Sequence, residues 1–224
     1  MPSTDTPYDR QFTHAPDGRL DAPAFHRNFE PMQAVLSDRL AERSGHVLEI
    51  GSGTGQHVVG FARALRSLTW WPGDPDPAHR RSVDAWRAEG GAANVMPAID
   101  LDAAAPDAGR GGAAGWPQEG FAAVLSMNVI HIAPWRVCEG IMRLAGAHLA
   151  PAGLLFLYGP FKRGGAHNAP SNEAFDAMLR RENAAWGVRD LEDVEAVAEG
   201  EGLRRAEIVE MPANNLTVIF ERWD

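Results

Sequence analysis

The sequence predicts an α/β protein built on a mostly parallel sheet. Short apolar segments alternate along the chain with segments of helical periodicity, an order typical of parallel βαβ units. Only a few residues, 212–215, separate the last two apolar segments, whereas a parallel crossover needs about a dozen residues or more. We therefore expect one antiparallel strand near the edge of the sheet.

The elements are predicted in order from the spacing of apolar residues and the turn residues between them. Residues 1–23 are expected to form a flexible lead-in, and residues 24–224 a single domain. Helices are predicted at residues 25–43, 57–65, 78–89, 134–149, 173–181 and 191–199. Strands are predicted at residues 46–50, 68–71 (stopped by Pro72-Gly73), 94–98, 121–127, 154–158, 204–210 and 216–221. Loops are predicted at residues 103–120, as a surface insertion, and 159–170.

Composition narrows the functional classes. The formal net charge is -9, from 21 basic and 30 acidic residues, and such a surface repels nucleic-acid phosphates. Cys138 is the single cysteine, which excludes an intrachain disulfide, and the eight histidines are dispersed, so no metal site is expected. The sequence shows no apolar run of membrane-spanning length and no secretory signal, so we expect a cytoplasmic protein.

The strongest motif joins the first predicted strand of the domain to the helix after it. It reads Glu49-Ile50-Gly51-Ser52-Gly53-Thr54-Gly55. Glycines in this context let the chain turn tightly and let a ligand lie against bare backbone. A dinucleotide fingerprint would place its third glycine one residue later, at the position of Gln56, and the lysine of a phosphate-binding P-loop is missing.

Charge favours one cofactor over the phosphate-bearing ones. Glu49 lies two positions before the first glycine, where a carboxylate would repel a pyrophosphate and attract a cation. S-adenosylmethionine (SAM) carries a sulfonium and an ammonium and has no phosphate. The motif therefore favours SAM, held by Glu49 and by Gly51, Ser52, Gly53, Thr54 and Gly55.

Two later strand ends carry further carboxylates. Asp74, with Asp76 as the alternative, follows the second strand at the distance of a ribose-binding acid. Asp102, with Asp100 as the alternative, follows the third strand and could accept a hydrogen bond from the adenine amino group. Each could instead serve as a turn residue or helix cap. Because ligands bind at the carboxyl ends of the strands in such sheets, we favour the cofactor roles.

These motifs resemble those of class I SAM-dependent methyltransferases. The resemblance rests on residues 49–55, on Asp74 and Asp102, and on the turn at residues 149–153. More narrowly, the chain resembles the methyltransferase-like 26 family over residues 27–31, 49–57, 74–77, 127–135, 158–165, 186–193 and 211–216. The resemblance implies a Rossmann-like three-layer sandwich whose seven-stranded sheet is mostly parallel with the last strand antiparallel. It also implies SAM as methyl donor and S-adenosylhomocysteine as product.

The remaining candidate residues follow from this expectation. Asn28, Met127 and Asn128 are predicted to contact the cofactor, although Asn28 could instead be an N-cap. His131 could be a general base or could hydrogen-bond the backbone, and Tyr158 could position the acceptor or simply end a buried strand. Candidate acceptor-binding residues, with packing or solvated surface charge as the alternative, are Arg27, Trp135, Lys162 and Arg163.

The predicted function is methyl transfer from SAM, by in-line displacement, to an oxygen, sulfur or nitrogen atom of a small molecule. Such an enzyme must align the acceptor with the methyl group and exclude water. Two alternatives remain: a SAM-binding regulatory protein without catalysis, and an NAD-dependent oxidoreductase on the same fold. The expected partner is a small-molecule acceptor, with no nucleic acid and no membrane, and the protein is expected to be a monomer or homodimer.

Overall fold

The computed structural model describes residues 12–108 and 116–223. The strands are β1 Thr13–His14, β2 Leu20–Asp21, β3 Gly45–Ile50, β4 Leu68–Asp74, β5 Ile99–Asp100, β6 Phe121–Met127, β7 Leu149–Gly159, β8 Phe161–Arg163, β9 Ala166–His167, β10 Arg189–Asp190, β11 Leu203–Met211 and β12 Asn215–Arg222. The helices are α1 Pro23–Leu40, α2 Gln56–Ala64, α3 Pro77–Gly90, α4 Trp135–His148, α5 Pro170–Glu182 and α6 Leu191–Gly200.

Seven strands form the central sheet in the order β11-β12-β7-β6-β3-β4-β5. β12 runs antiparallel to both of its neighbours, and the other pairs are parallel. The predicted seven-stranded sheet with its last strand antiparallel is therefore confirmed. The turn before β12 is the short 3₁₀ helix Pro212–Asn214.

Alternation along the strands divides the core between the two faces of the sheet. Val47 packs with apolar residues of α1, α2 and α3, whereas its neighbour Leu48 packs with those of α4 and α6. Trp70 and Trp71 divide in the same way. The predicted three-layer sandwich follows from this pattern, and it leaves the carboxyl ends of the parallel strands open at one edge.

The predicted end of the second domain strand at Pro72-Gly73 is wrong. β4 continues to Asp74, and Pro72 pairs in register with Glu49. Peptide groups alternate sides along a strand, and Gly73 accepts the Gly51 N–H on the β3 side. The nitrogen of Pro72, which has no N–H to donate, therefore points away from β3 and towards β5. The hydrogen bonds between β3 and β4 are not interrupted by the proline.

Two other local predictions also need correction. The strand predicted at residues 94–98 reduces to one bridge between Val95 and Trp70, and the strand itself is β5. The loop predicted at residues 159–170 contains β8 and β9, which pair with each other, while β8 also pairs with β10. These strands have two or three residues each, too few for a period-two pattern to be visible in the sequence.

Within the lead-in, residues 12–23 contain β1, β2 and the first residue of α1, and residues 1–11 lie outside the described ranges; its predicted flexibility stays a prediction. β1 and β2 form a hairpin that packs on the domain. The backbone N–H of Leu20 donates to Ser82 Oγ at 2.8 Å, and that of Ala22 donates to Gln56 Oε1 at 2.8 Å. The division into a lead-in and a single domain of residues 24–224 stays a prediction.

The segment between β5 and β6 is the predicted insertion. Its residues 109–115 lie outside the described ranges, and Trp116 packs against Phe121 with ring centroids 5.0 Å apart. The described end of the insertion is thus anchored to the core. Among the helices that the structure describes, none combines the length and apolar character needed to cross a bilayer.

Ser82 gives a direct test of how the hairpin and the glycine loop are joined. Its hydroxyl is buried, donates to Thr54 O at 2.7 Å and accepts from Leu20 N. We expect Ser82→Ala to lower the free energy of unfolding by about 1–3 kcal/mol, because two buried backbone groups lose their partner. Urea denaturation measures this change. Ser67→Ala removes an exposed hydroxyl bonded to Arg43 O and serves as the control; equal losses in the two variants would contradict the proposed joint.

Candidate functional site

The glycine loop lies across the carboxyl ends of β3 and β4. The N–H groups of Gly51 and Ser52 donate to Gly73 O at 2.8 and 3.1 Å. The N–H of Gly53 donates to the Asp74 carboxylate at 2.9 Å. The sequence motif and the first predicted acidic residue are thus brought together, because β3 and β4 are adjacent parallel strands.

Gly53 is the part of this loop that faces open space. Its backbone has a φ of 54°, in the left-handed region that favours glycine, and no heavy atom of the described chain lies within 4 Å of the position of an added Cβ. A ligand could therefore lie directly against the peptide at this point. The loop is a cradle that a side chain would obstruct.

Glu49 places a carboxyl group beneath the cradle. It is 2% exposed, and its Oε2 has no hydrogen-bonding partner among the described atoms. Burial raises the pKa of Glu49 to about 8; a bond from Ser52 opposes the shift and the charge of Asp74 adds to it. The group is therefore mainly protonated at neutral pH and would ionise on meeting a cation.

Asp74 holds the loop and retains capacity for a ligand. Besides Gly53, its carboxylate accepts the backbone N–H of Asp76 at 2.9 Å and lies 3.2 Å from His79 Nδ1. A carboxylate has about four lone-pair sites, so acceptor capacity remains. Its alternative, Asp76, is the N-cap of α3 and accepts the Ala78 N–H at 2.6 Å. The cap explanation thus applies to Asp76 and leaves Asp74 as the candidate.

Asp102 and Asp100 lie at the next strand end. Asp102 is exposed and accepts the N–H of Ala104 at 2.9 Å, a local turn contact. Asp100 pairs with Arg80 at 3.2 Å and leaves 72% of its side chain exposed. Because Asp100 is in the strand and already paired, Asp102 remains the predicted adenine contact, with acceptor capacity beyond its turn bond.

A cavity of about 430 Å³ approaches the glycine loop through the segment after β6: residues 49–55 do not line it, but Asn128 does, and the next residue, Val129, lies against Gly51. It adjoins the segment after β6, where Asn128 follows the buried Met127 and has a φ of 58°. Its lining comes from α1, this segment, α5 and the turn before β12. The lining residues are Ala24, Arg27, Asn28, Asn128, His131, Ile132, Pro160, Asn172, Phe175, Met178, Leu179, Glu182, Trp186, Pro212, Ala213 and Asn215.

His131 is the most buried titratable group of this lining. It is 2% exposed, and its Nδ1 has no partner among the described atoms. Burial lowers the pKa of His131 to about 3, and the Arg189 cation contributes to the shift. Gly159 passes so close that a Cβ there would lie 2.7 Å from His131 Cε1. The imidazole is therefore neutral and rigidly held.

Arg27 and Asn28 both border the cavity, in agreement with their predicted place beside a ligand. The alternative of an N-cap for Asn28 is wrong, because α1 begins at Pro23 and its N-cap is Ala22. Asn28 therefore lies in the second turn of the helix. Which ligand group it would contact stays a prediction.

The structure places the other candidate residues away from the cavity wall. Tyr158 is buried, and its hydroxyl accepts a hydrogen bond at 3.0 Å from Asn215, which does line the cavity. The ring of Trp135 packs under the guanidinium of Arg189 at 5.7 Å. Lys162 and Arg163 lie on β8, and Arg163 pairs with Glu210 at 3.1 Å. The geometry therefore does not bring these four side chains together.

Sequence reasoning missed much of the cavity wall. Phe175 contacts His131 at a ring separation of 5.8 Å, and Trp186 and Asn215 complete the wall from other segments. The sequence did mark two of these residues as candidates, because Trp186 and Asn215 fall in the stretches that resemble the methyltransferase-like 26 family. Nothing in the spacing shows that these segments meet.

Arg189 ties the two sides of the wall together. Its guanidinium donates to Ile130 O at 2.9 Å, to Ala133 O at 2.6 Å and to Ala185 O at 2.8 Å. The backbone N–H of Gly187 donates to His131 O at 2.9 Å. These contacts hold the His131 segment against the segment that carries Trp186.

Comparison with known families places residues 19–222 in a single family. Its model, described as a protein of unknown function (DUF938), matches nearly the whole chain. The chain belongs to this family. The wider fold of the DUF938 chain recurs in solved structures of methyltransferases.

Three of these structures illustrate the likeness. The apo SAM-dependent methyltransferase SibL is 19% identical, with a TM-score of 0.67, and the match covers 85% of this chain and 54% of that one. An O-methyltransferase family protein from Burkholderia thailandensis has 16% identity, a TM-score of 0.68, and coverages of 89% and 57%. An O-methyltransferase family 2 protein from Planctomyces limnophilus in complex with apigenin has 14% identity, a TM-score of 0.66, and coverages of 86% and 56%. The DUF938 chain thus has their fold and spans little more than half of their length.

Burial of Glu49 has a measurable cost. Because its folded pKa lies above the ordinary value of 4.5, its contribution to stability is lost as pH rises from about 4.5 through 8. We expect Glu49→Gln to raise the melting temperature relative to the native chain, by an amount that grows from pH 5 to pH 8. Thermal unfolding monitored by circular dichroism at several pH values tests this. Glu119→Gln, at an exposed carboxylate, is the control, and a constant difference across pH would refute the buried-acid interpretation.

Proposed function

We propose that this protein is a SAM-dependent methyltransferase whose acceptor is a small molecule. The observation that carries the proposal is the buried Glu49 carboxyl, whose Oε2 has no partner among the described atoms, at the end of the strand that leads into the open Gly53 loop. The methyltransferase fold of the structural neighbours supports it. Membership in the narrower methyltransferase-like 26 group remains part of the proposal, resting on the sequence stretches that resemble it.

The chemistry of the cradle fits SAM better than a dinucleotide. SAM supplies a methyl group activated on a positively charged sulfur, and it carries an ammonium and no phosphate. A buried carboxylate beside the glycine loop stabilises positive charge and opposes a pyrophosphate. In the complex, Glu49 would ionise and compensate the ammonium, directly or through water.

Other residues would hold the rest of the cofactor. Asp74 would accept hydrogen bonds from the ribose hydroxyls with its remaining lone pairs, and Asp102 would accept one from the adenine amino group. Asn28 and Asn128 line the cavity, and they would contact the end of the cofactor that meets the acceptor. Met127 would contribute apolar contact from the end of β6.

The cavity would hold the acceptor. Its wall would restrict the orientation of the bound molecule, which is the main requirement for transfer from an already activated methyl donor. The low pKa of His131 makes it a poor base at neutral pH. We therefore assign His131 as a hydrogen-bond acceptor for the substrate, in place of the base that its sequence position suggested.

The first test is calorimetric titration with S-adenosylhomocysteine, with NADH titrated in parallel. We expect S-adenosylhomocysteine to bind and NADH to give no saturable heat, because the loop lacks the third glycine of a dinucleotide fingerprint. Saturable binding of NADH without S-adenosylhomocysteine binding would overturn the proposal in favour of an oxidoreductase.

A pair of glycine variants locates the site. Gly53→Val should reduce S-adenosylhomocysteine affinity at least tenfold, since the side chain would fill the cradle. Gly91→Val is the matched control because Gly91 also has a left-handed φ, 58°, and open space around its Cβ position, at the end of α3. Equal loss of affinity in the two variants would mean that backbone strain, and not obstruction of the cradle, explains the effect.

The pKa of Glu49 predicts a pH-dependent affinity. Below pH 8 the free protein must lose the Glu49 proton to compensate the ligand's ammonium. We expect S-adenosylhomocysteine affinity to rise between pH 6 and 8, by up to about tenfold per unit, and then level off. Titration in buffers of different ionisation enthalpy should show proton release. An identical pH slope in Glu49→Gln would rule out this carboxyl as the cation partner.

A further inference from the structure

We propose that the cavity beside the glycine loop selects an uncharged aromatic alcohol as the methyl acceptor. This inference rests on the proposed function and narrows it. It is supported by the shape and the charge of the cavity wall, to which His131, Phe175 and Trp186 contribute. The chemical class follows from three features of that wall.

The first feature is a flat, largely apolar surface. Phe175 and Trp186 supply aromatic faces, and Ile132 and the buried Pro160 add aliphatic surface. Aromatic side chains bind planar rings through stacked or edge-to-face contacts. A volume of about 430 Å³ is within the range of small-molecule sites and admits a ring system of one or two fused rings with substituents.

The second feature is the distribution of charge. Arg27 and Glu182 are the charged side chains among the described lining residues, and both are exposed at the rim. The other polar lining groups are four amides and the His131 imidazole, which is neutral. An ionised acceptor inside the cavity would lose its hydration without gaining a counter-ion, so a neutral acceptor is favoured.

Charges behind the wall do not change this conclusion. Asp176 on α5 is paired with Arg180 at 3.1 Å and accepts the Val188 N–H at 2.7 Å. Arg189 directs its N–H groups at three backbone carbonyls. These charges are satisfied within the protein, so Arg27 and Glu182 at the rim are the charged groups that a ligand would meet.

The third feature is unused hydrogen-bonding capacity. His131 borders the cavity, and its Nδ1, which is enclosed against Gly159, has no partner among the described atoms. A hydroxyl on the acceptor could donate to this neutral imidazole. In the transfer, the hydroxyl oxygen would form the new bond to carbon, the carbon–sulfur bond would break with its electron pair staying on sulfur, and the hydroxyl proton would leave to water.

Three probes of one shape separate the charge states: naphthol, naphthoate and naphthylmethylammonium. Each is titrated calorimetrically into the protein at neutral pH, with and without saturating S-adenosylhomocysteine. We expect naphthol to bind at least tenfold more tightly than either charged probe. Equal or tighter binding of a charged probe, or no binding of naphthol, would overturn the inference.

The same titrations keep the two proposals distinct. Binding of S-adenosylhomocysteine without naphthol binding would leave the methyltransferase proposal standing and remove the acceptor class. Naphthol binding without S-adenosylhomocysteine binding would remove the methyltransferase proposal. The cavity would then still be assigned an uncharged aromatic alcohol as its ligand.

A variant at the rim shows whether the probes enter this cavity. Ala213 lines it with a φ of 58°, a conformation that aspartate tolerates. Ala213→Asp should raise the affinity for naphthylmethylammonium relative to naphthoate at least fivefold. Ala152→Asp, at an exposed residue with a φ of 57° on β7, is the matched control and should leave the ratio unchanged. An unchanged ratio in Ala213→Asp as well would place probe binding elsewhere and overturn the assignment.

Discussion

The hydrogen bond from the Gly53 N–H to the Asp74 carboxylate is the contact on which the site depends. It closes the end of β3 onto the end of β4 and fixes the loop that starts α2. The same carboxylate accepts the N–H of Asp76, where α3 begins. From the loop, Thr54 O accepts from Ser82, which in turn accepts from the hairpin at Leu20. One buried acid thus joins two strands and two helix starts, and through Ser82 the hairpin is tied to them.

The site contains buried polar atoms without hydrogen-bonding partners, which destabilise the folded protein. Buried polar atoms are nearly always hydrogen-bonded, yet Glu49 Oε2 and His131 Nδ1 have no partner among the described atoms. They lie in different halves of the site, one under the loop and one on the cavity wall. Such atoms also occur elsewhere, as at Trp70, so lack of a partner alone does not mark function. What distinguishes Glu49 and His131 is their place: Glu49 precedes the glycine loop at the end of β3, and His131 lines the cavity.

The sequence predicts the sheet well because its signals are local. Apolar runs, the spacing of glycines and the short final turn each reflect a constraint on neighbouring residues, and the strand order confirms them. The end of β4 was predicted too early because of Pro72. A proline interrupts a sheet only when its nitrogen faces a neighbouring strand that needs the hydrogen bond, and the sequence does not show which side it faces. The third strand was displaced because β5 has only two residues. Lys162 and Arg163 were candidate acceptor-binding residues by residue type, whereas they lie on the short strand β8 and do not line the cavity.

The two halves of the site also differ in what a fold comparison can say about them. The cradle is built from strand ends of a sheet whose fold recurs in structures of 14–19% identity. The cavity wall takes Asn128, His131 and Pro160 from the segments after β6 and β7, but most of it comes from α1, α5, the Trp186 segment and the turn before β12, which lie outside the parallel strands. Arg189 and the bond between Gly187 and His131 fix these segments through backbone contacts that leave the lining side chains free to vary. The acceptor must therefore be inferred from the wall itself, because the sheet that holds the cradle positions only part of it.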